Sequence, residues 1–376
     1  MSYLSQFNIN IERPEYEDAE VLPIGHPDNP WPIPKHPAQE ILDSTKLRQF
    51  ENCPRGFFFM YELGWRPRTK NINLVFGSAW HELLDVIYGN DSIASGGEGI
   101  PNINNTPEVV AEAIDAHMKT FESEGGALIQ VHTSKNNRRA LEILRGYVER
   151  SKKYGDIPHP GYLDYYKEDN DRYRVIYTEL VAAVPITPTR TIYGKMDMVA
   201  HDRKTDRIIA MEHKTTGSLS SKYQAQWEYD VQPGTYQFVG QALYGDQFGG
   251  VLLNATVFKV RSHDFFRHLY LRNPEQMALW HAEVNHSFDM IDWSRKTMIN
   301  VGDKPNALPC YPRRCSSATR YGCSFPTLCS SWANPLRYDL SQPPSGYMRK
   351  FWNPQDKERN FKLVGDSIDK LEVVKV

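Results

Sequence analysis

The stretch Gly194–Thr216, GKMDMVAHDRKTDRIIAMEHKTT, constrains this chain more than any other. It reads as two β-strands joined by a charged turn, His201–Asp206. Strand side chains alternate between faces. In the first strand, about Thr191–Ala200, Lys195, Asp197 and Val199 therefore share one face, and Gly194, Met196 and Met198 the other. In the second, about Arg207–His213, Ala210 and Glu212 share a face with Lys214 beyond them. A hairpin turning near Arg203–Lys204 sets Asp197 and Glu212 diagonally across the pair, on the same side. That separation suits one divalent ion, and hard oxygen ligands suit magnesium or manganese. An ammonium two residues beyond Glu212 can orient an attacking water or offset charge on a phosphate. By itself the D…ExK pattern serves an exposed hairpin with an ordinary cross-strand ion pair equally well.

The chain's 376 residues are enough to bury one large core or two modest ones. A formal net charge of −2 argues against a surface coated in positive charge. It leaves room for a local basic groove from Arg66, Arg68 and Lys70 or from Lys135, Arg138 and Arg139, clusters that read equally well as solvated surface. The first residues, MSYLSQFNIN, lack the apolar centre of a signal peptide, and no apolar run reaches membrane-spanning length. An intracellular, cytoplasmic protein without a membrane partner is the expectation. Five cysteines, an odd count in a long chain, disfavour a disulfide framework.

Residues 1–40, rich in proline and polar side chains, read as an extended arm. Asp43 or Ser44 caps a helix carrying Leu47, Phe50 and Phe57–Phe59, with Pro54 marking a break or new start. NLVFGSAWHELLDVIY gives a helix whose inner face is Trp80, Leu83, Leu84 and Ile87, with His81 upon it. Pro107–Ser123 and Asn136–Tyr154 read as amphipathic helices, a helical insertion over about residues 105–160. A strand, Tyr173–Val184, carries Glu179; a helix runs from about Gln232 to Tyr244, with Pro233 in its first turn. Gly250–Val260 is a further strand and Asn273–Ile291 a long helix. Helices, three strands, then helix–strand–helix predict an α/β core with a central mixed sheet flanked by helices.

The text from about residue 42 to 329 resembles the PD-(D/E)XK nuclease superfamily, and within it the RecB/AddB-like exonuclease group, including CRISPR-associated RecB-like and phage exonucleases. LDSTKLRQFENCPRGFFFMYELGW is similar to that group's entry motif, and FGSAWH fits its FG-x-x-x-H segment. Gln232 and Tyr236 match its Q-x-x-x-Y motif, with Gln237 and Tyr244 as a competing pair. The resemblance implies a restriction-endonuclease-like fold. It implies that His81, Asp197 and Glu212 bind Mg2+ or Mn2+ with the backbone carbonyl of His213 as an extra ligand. The ion would polarise the scissile phosphate and lower the pKa of the attacking water; Lys214 would position that water or stabilise developing charge. Gln232 and Tyr236 would hold the DNA strand. Glu179 is a further candidate, because an acid often occupies that strand in the group. Arg55 is expected to contact phosphate or to form a salt bridge.

Four cysteines, Cys310, Cys315, Cys323 and Cys329, fall within twenty residues at spacings x4, x7 and x5. Such a set in an intracellular protein points to a metal or cluster. Zinc would close a four-thiolate site locally. The AddB-like pattern instead joins a cysteine of the Cys-Pro motif to three near the C-terminus around a 4Fe–4S cluster. Cys53 with Cys315, Cys323 and Cys329 fits it, with Cys310 competing for the place of Cys315. A cluster would be structural, closing a loop of roughly 260 residues.

The domain expectation is an arm over 1–40, one nuclease domain over 41–333 with the cysteine cluster at 310–329, and a tail over 334–376 without an assigned role. The leading reading is a metal-dependent DNA exonuclease acting on single strands or DNA ends in recombination, repair or phage DNA processing. A helicase, an annealing protein or self-association would be its partners. The alternatives are a catalytically inactive DNA-binding or recombination-partner module and a zinc-ribbon scaffold.

Overall fold

The computed structural model describes residues 19–69, 71–104, 106–124, 134–151, 155–301, 323–354 and 360–363. Its centre is a seven-stranded mixed sheet among those residues. The order is β11 (Asn360–Leu363), β5 (Tyr173–Thr187), β6 (Arg190–Asp202), β7 (Arg207–Thr216), β8 (Phe248–Phe258) and β9 (His263–Tyr270), with β1 (Leu42–Asp43) parallel to β6 off that path. β5, β6 and β7 form an antiparallel meander, whereas β7 and β8 are parallel and need a crossover helix between them. That helix is α9 (Val231–Tyr244), capped by the Asp230 side chain accepting the Gln232 N–H at 2.9 Å. β8 is buried on both faces and reads as a near-continuous apolar run, whereas β7 is apolar only from Ile208 to Met211.

Two apolar layers cover the sheet. On one face Tyr236 and Val239 of α9 pack against Leu180, Ala182, Met196, Val199 and Ala210. On the other, α3 (Ile72–Gly89) lays Phe76, Trp80 and Leu83 against Met198, Ala200, Ile209 and Met211. α4 (Pro107–Ser123) and α5 (Asn137–Arg145) pack outside α3. This is the α/β core that the order of elements predicts.

Three elements depart from the sequence reading. The helix expected over Asn136–Tyr154 ends at Arg145, because Gly146 turns the chain at φ +93° into a hairpin of β3 (Gly146–Ser151) and β4 (Gly155–Pro160). The last long helix, α10 (Pro274–Val301), runs past Ile291, since no glycine or proline interrupts it. It starts with a reciprocal cap: Asn273 Oδ1 accepts the Gln276 N–H and Gln276 Oε1 accepts the Asn273 N–H, both at 2.9 Å. Residues 19–40 are not an extended arm. Leu22 bridges Lys35, Asn29 donates to the carbonyls of Leu22, Pro23 and Ile33, and Ile33 is buried.

The tail also contributes. β10 (Tyr347–Arg349) pairs with β2 (Trp65–Pro67), β11 covers the edge of β5, and Trp352 Nε1 donates to Asp43 Oδ2 at 2.9 Å. Among the described residues no helix is long and apolar enough to cross a membrane.

His117 of α4 gives the packing a pH dependence. It is fully buried among Phe76, Trp80 and Phe121, and neither ring nitrogen has a well-formed hydrogen bond. Burial pulls its pKa down to about 4, against the partial counter-effect of the Ala79 carbonyl nearby. The folded state therefore keeps the ring neutral where the unfolded chain protonates it. Stability is full above pH 6.5 and falls as the pH drops from 6.5 towards 4, by on the order of 2 kcal/mol at pH 5. Urea unfolding at pH 7 and pH 5 should show a smaller loss for His117→Phe than for the wild type.

Candidate active site

The site lies where the sheet forks. The β6–β7 ladder runs from Asp202↔Arg207 to Met198↔Met211 and stops. The connecting turn occupies residues 203–206, and Asp197 and Glu212 are the first residues beyond the end of the ladder. In place of a ladder bond, the His213 N–H donates to Asp197 Oδ2 at 2.7 Å. Below the fork β6 stays with β5 and takes β1 alongside, while β7 continues on β8 as far as Thr216↔Val257.

Strict alternation breaks at this level. Met196 packs on the α9 side and Met198 on the α3 side, although they are two residues apart. On the neighbouring strand the register is unbroken at this height, but the backbone is irregular. Glu179 sits between the pairs Thr178↔Met198 and Leu180↔Met196, and its φ is +50°, a region that non-glycine residues rarely occupy. Lys195 pairs with Glu179 at 2.9 Å. The break separates the two acids that alternation places on one side. Asp197 turns to His81 of α3, and Glu212 turns to Gln232 of α9.

His81 Nδ1 stands 3.6 Å from Asp197 Oδ2. His81, Glu179 and Asp197 each offer a ligand atom, all within 4.8 Å of one another. Burial pushes the Asp197 carboxyl up, but His81, Lys214 and His213 outweigh it and hold the group well below the usual carboxylate range. Burial opposes charge on His81 in turn, and Asp197 raises its pKa regardless. Glu212 is 3% exposed; Oε1 meets Lys214 Nζ and accepts from Gln232 Nε2 at 2.9 Å, while Oε2 is buried without a partner. Hard oxygen donors, one imidazole and an unpartnered buried carboxylate oxygen fit a magnesium or manganese ion. Desolvation pulls Lys214 down to about 8, with Asp197 acting against it, and its ammonium lies 5.6 Å from the centre of the Trp227 ring.

The structure brings Gln232 and Tyr236 to this place. Gln232 Nε2 also donates to Tyr236 Oη at 3.0 Å. Gln237 instead ties to the Arg272 backbone at 2.8 Å in both directions, and Tyr244 packs at the margin of the α9-side core. Sequence reasoning missed Arg48. From helix α1 (Ser44–Asn52) it pairs with Asp230 and donates to Gln232 Oε1 at 3.3 Å. No spacing signals it, because the contact depends on α1 lying against α9.

Of the basic clusters, Arg68 is exposed among the described residues. Arg66 covers the Tyr61 ring at 4.8 Å, Lys135 and Arg139 are buried, Arg138 pairs with Glu142, and Lys70 lies outside the described residues. Arg55 is buried and donates to the carbonyls of Trp332 (3.5 Å) and Ala333 (3.1 Å). Those bonds join the Cys-Pro segment to the C-terminal cysteines. Cys53 Sγ accepts the Gly56 N–H at 3.4 Å and Cys323 Sγ the Phe325 N–H at 3.3 Å. Cys323 and Cys329 pack on a cluster of Phe58, Phe59, Trp65 and Phe325. Cys310 and Cys315 lie outside the described residues.

The fork of the mixed sheet thus gathers acids, a histidine and a lysine. The family model of the PD-(D/E)XK nuclease superfamily matches residues 44–330, and the chain belongs to that superfamily. Membership implies a metal-dependent nuclease with DNA as its substrate. Among solved structures, the crystal structure of SSO0001 aligns over 72% of this chain and 88% of its own at 12% identity, with a TM-score of 0.29. That similarity is too slight to bear on function. No curated protein matches the chain significantly.

The backbone strain at Glu179 is separable from its carboxylate. Glu179→Ala and Glu179→Gly should both weaken Mn2+ binding, but the glycine variant should be more stable than the alanine variant by about 1 kcal/mol, because only glycine takes that φ without cost. Equal urea midpoints for the two variants would remove the strain argument.

Proposed function

We propose that the protein is a Mg2+- or Mn2+-dependent DNA exonuclease. The observation that carries this is the convergence of His81, Glu179 and Asp197 beside the unpartnered Glu212 Oε2 and the Lys214 ammonium. His81, Asp197, Glu179, Glu212 and the His213 carbonyl would hold the ion, which would supply positive charge to the scissile phosphate. Lys214 offsets charge developing on the phosphate oxygens or orients the attacking water. Gln232 aligns Glu212 through its amide and, with Tyr236, borders the strand path. Arg48, held by Asp230, supplies a cation at the same border. Phosphate contacts and base stacking make binding largely independent of sequence. Work on DNA ends in recombination, repair or phage DNA processing, in the cytoplasm, belongs to the same reading, with a helicase, annealing protein or second copy as partner.

Cys53, Cys315, Cys323 and Cys329 hold a structural 4Fe–4S cluster in this reading. Backbone N–H groups already directed at the sulfurs of Cys53 and Cys323 support a thiolate site. Anaerobically purified protein should contain iron and acid-labile sulfide, and Cys53→Ser should lose most of both. Zinc in their place would favour the local four-thiolate alternative.

The decisive assay offers end-labelled linear DNA and a closed circle with Mn2+. Label should leave the linear DNA alone, and Lys214→Ala should slow this by about 10²–10³-fold. Cutting of the circle would make the protein an endonuclease. Cutting of neither by cluster-loaded protein would favour a catalytically silent DNA-binding module.

A further inference from the structure

On the α3 side of the sheet, behind the fork, lies a polar cluster that the roles above do not use. Asn254 is 1% exposed in the otherwise apolar middle of β8 and registers with His213 on β7 and with Arg267 on β9. Its Nδ2 stands 2.9 Å from His213 Nδ1 and 2.6 Å from Tyr162 Oη. Its Oδ1 accepts from Arg267 Nε at 3.1 Å. Arg267 forks onto Asp169, with both Nη1–Oδ1 and Nη2–Oδ2 at 2.7 Å, and Nη2 reaches Tyr88 Oη at 3.0 Å. Tyr88 donates to Asp169 Oδ2 at 2.7 Å, and its ring stacks on that of His213 with centroids 5.6 Å apart.

The chain of donors leaves Asn254 one orientation. Arg267 has only N–H groups to offer, so Asn254 must present Oδ1 to it and its amide hydrogens to His213. Nδ1 of His213 is then an acceptor, and the ring is clamped between Asn254 and Tyr88. This restraint sits where β7 has lost one flanking strand, since the ladder to β6 ends at Met211. The His213 N–H is taken by Asp197, and its carbonyl lies between Glu212 and Lys214 in the chain. A buried arginine–aspartate pair is often no more stabilising than apolar residues of the same volume, so stability alone does not account for this one.

We infer that Asn254, aligned by the Arg267–Asp169 pair, is a positioning residue that sets the rotation of the Glu212–Lys214 segment and the direction of the His213 carbonyl through the His213 ring. The inference rests on the metal site proposed above.

The test is Mn2+ binding, read by electron paramagnetic resonance of the free ion, for the wild type, Asn254→Leu, His213→Phe and the double variant. Asn254→Leu should weaken binding about ten- to a hundredfold. In the His213→Phe background it should add little, because the clamp acts through the ring. Unchanged binding, or equal weakening in both backgrounds, overturns the inference. Asn254→Asp keeps the side-chain volume and the bond from Arg267, and the His213 ring can move its proton to Nδ1 and donate to the new carboxylate. It should therefore bind Mn2+ within a few-fold of the wild type, and a loss as large as that of Asn254→Leu overturns the clamp. On linear DNA, Asn254→Leu should lower kcat and leave KM unchanged. A wild type that binds Mn2+ but cuts no DNA overturns the exonuclease reading while the binding comparison still decides the clamp. A wild type that binds no Mn2+ overturns both.

Discussion

Everything at this site depends on one hydrogen bond that replaces a sheet bond: the His213 N–H donating to the Asp197 carboxylate. A strand that leaves its neighbour in a protein interior strands backbone donors, and a buried unpaired N–H is costly. Asp197 satisfies one such donor with a side chain, which lets β6 and β7 part without loss. The same substitution brings a carboxylate into the gap at 9% exposure. A buried carboxylate needs positive partners, and His81, with Nδ1 3.6 Å away, and Lys214 both favour its charged form. The opening in the sheet and the charge within it are thus a single arrangement.

The helices are where they are for apolar reasons and carry the polar groups along. α3 is held by Phe76, Trp80 and Leu83, and this seats His81 over the fork. α9 is held by Tyr236 and Val239, and its capped first turn delivers Gln232 to Glu212. Tyr236 does both jobs, with its ring in the core and its hydroxyl under the Gln232 amide. Two stripes of core residues on opposite faces therefore fix the reach of two side chains into one opening.

Much of this was legible in the sequence, for reasons that also mark the limits. Period-2 patterning identified β6 and β7, and an ExK triplet close behind an aspartate pointed to the fork between them. Alternation is a local rule, however, and its break at Asp197 and Glu179 is imposed by packing on two different helices. It could not be read from either strand alone. The sequence therefore placed Asp197 and Glu212 on one face and left Glu179 marginal, whereas the structure groups Glu179 with His81 and Asp197. Asn254 left a trace that went unused: one amide in the apolar run GVLLNATVF. Such a residue in a buried strand must find partners, so it is a prompt to look for a network. Arg48 left none, because α1 and α9 are 182 residues apart at the Arg48–Asp230 contact.

One helix, α1, joins the Cys53 corner to the sheet beside the site. α1 begins at β1, which lies on β6 at Ile192 and Tyr193, just below Asp197. It ends at Cys53, whose side chain caps the next helix, Pro54–Phe57, and that helix is tied through Arg55 to the segment after Cys329. Arg48 lies between these two anchors. A nine-residue helix fixed at both ends has little freedom to rotate, so the cysteine corner and the sheet together determine where the Arg48 guanidinium meets Gln232. A bond that tightens that corner therefore bears, through α1, on where Arg48 meets Gln232 and Asp230.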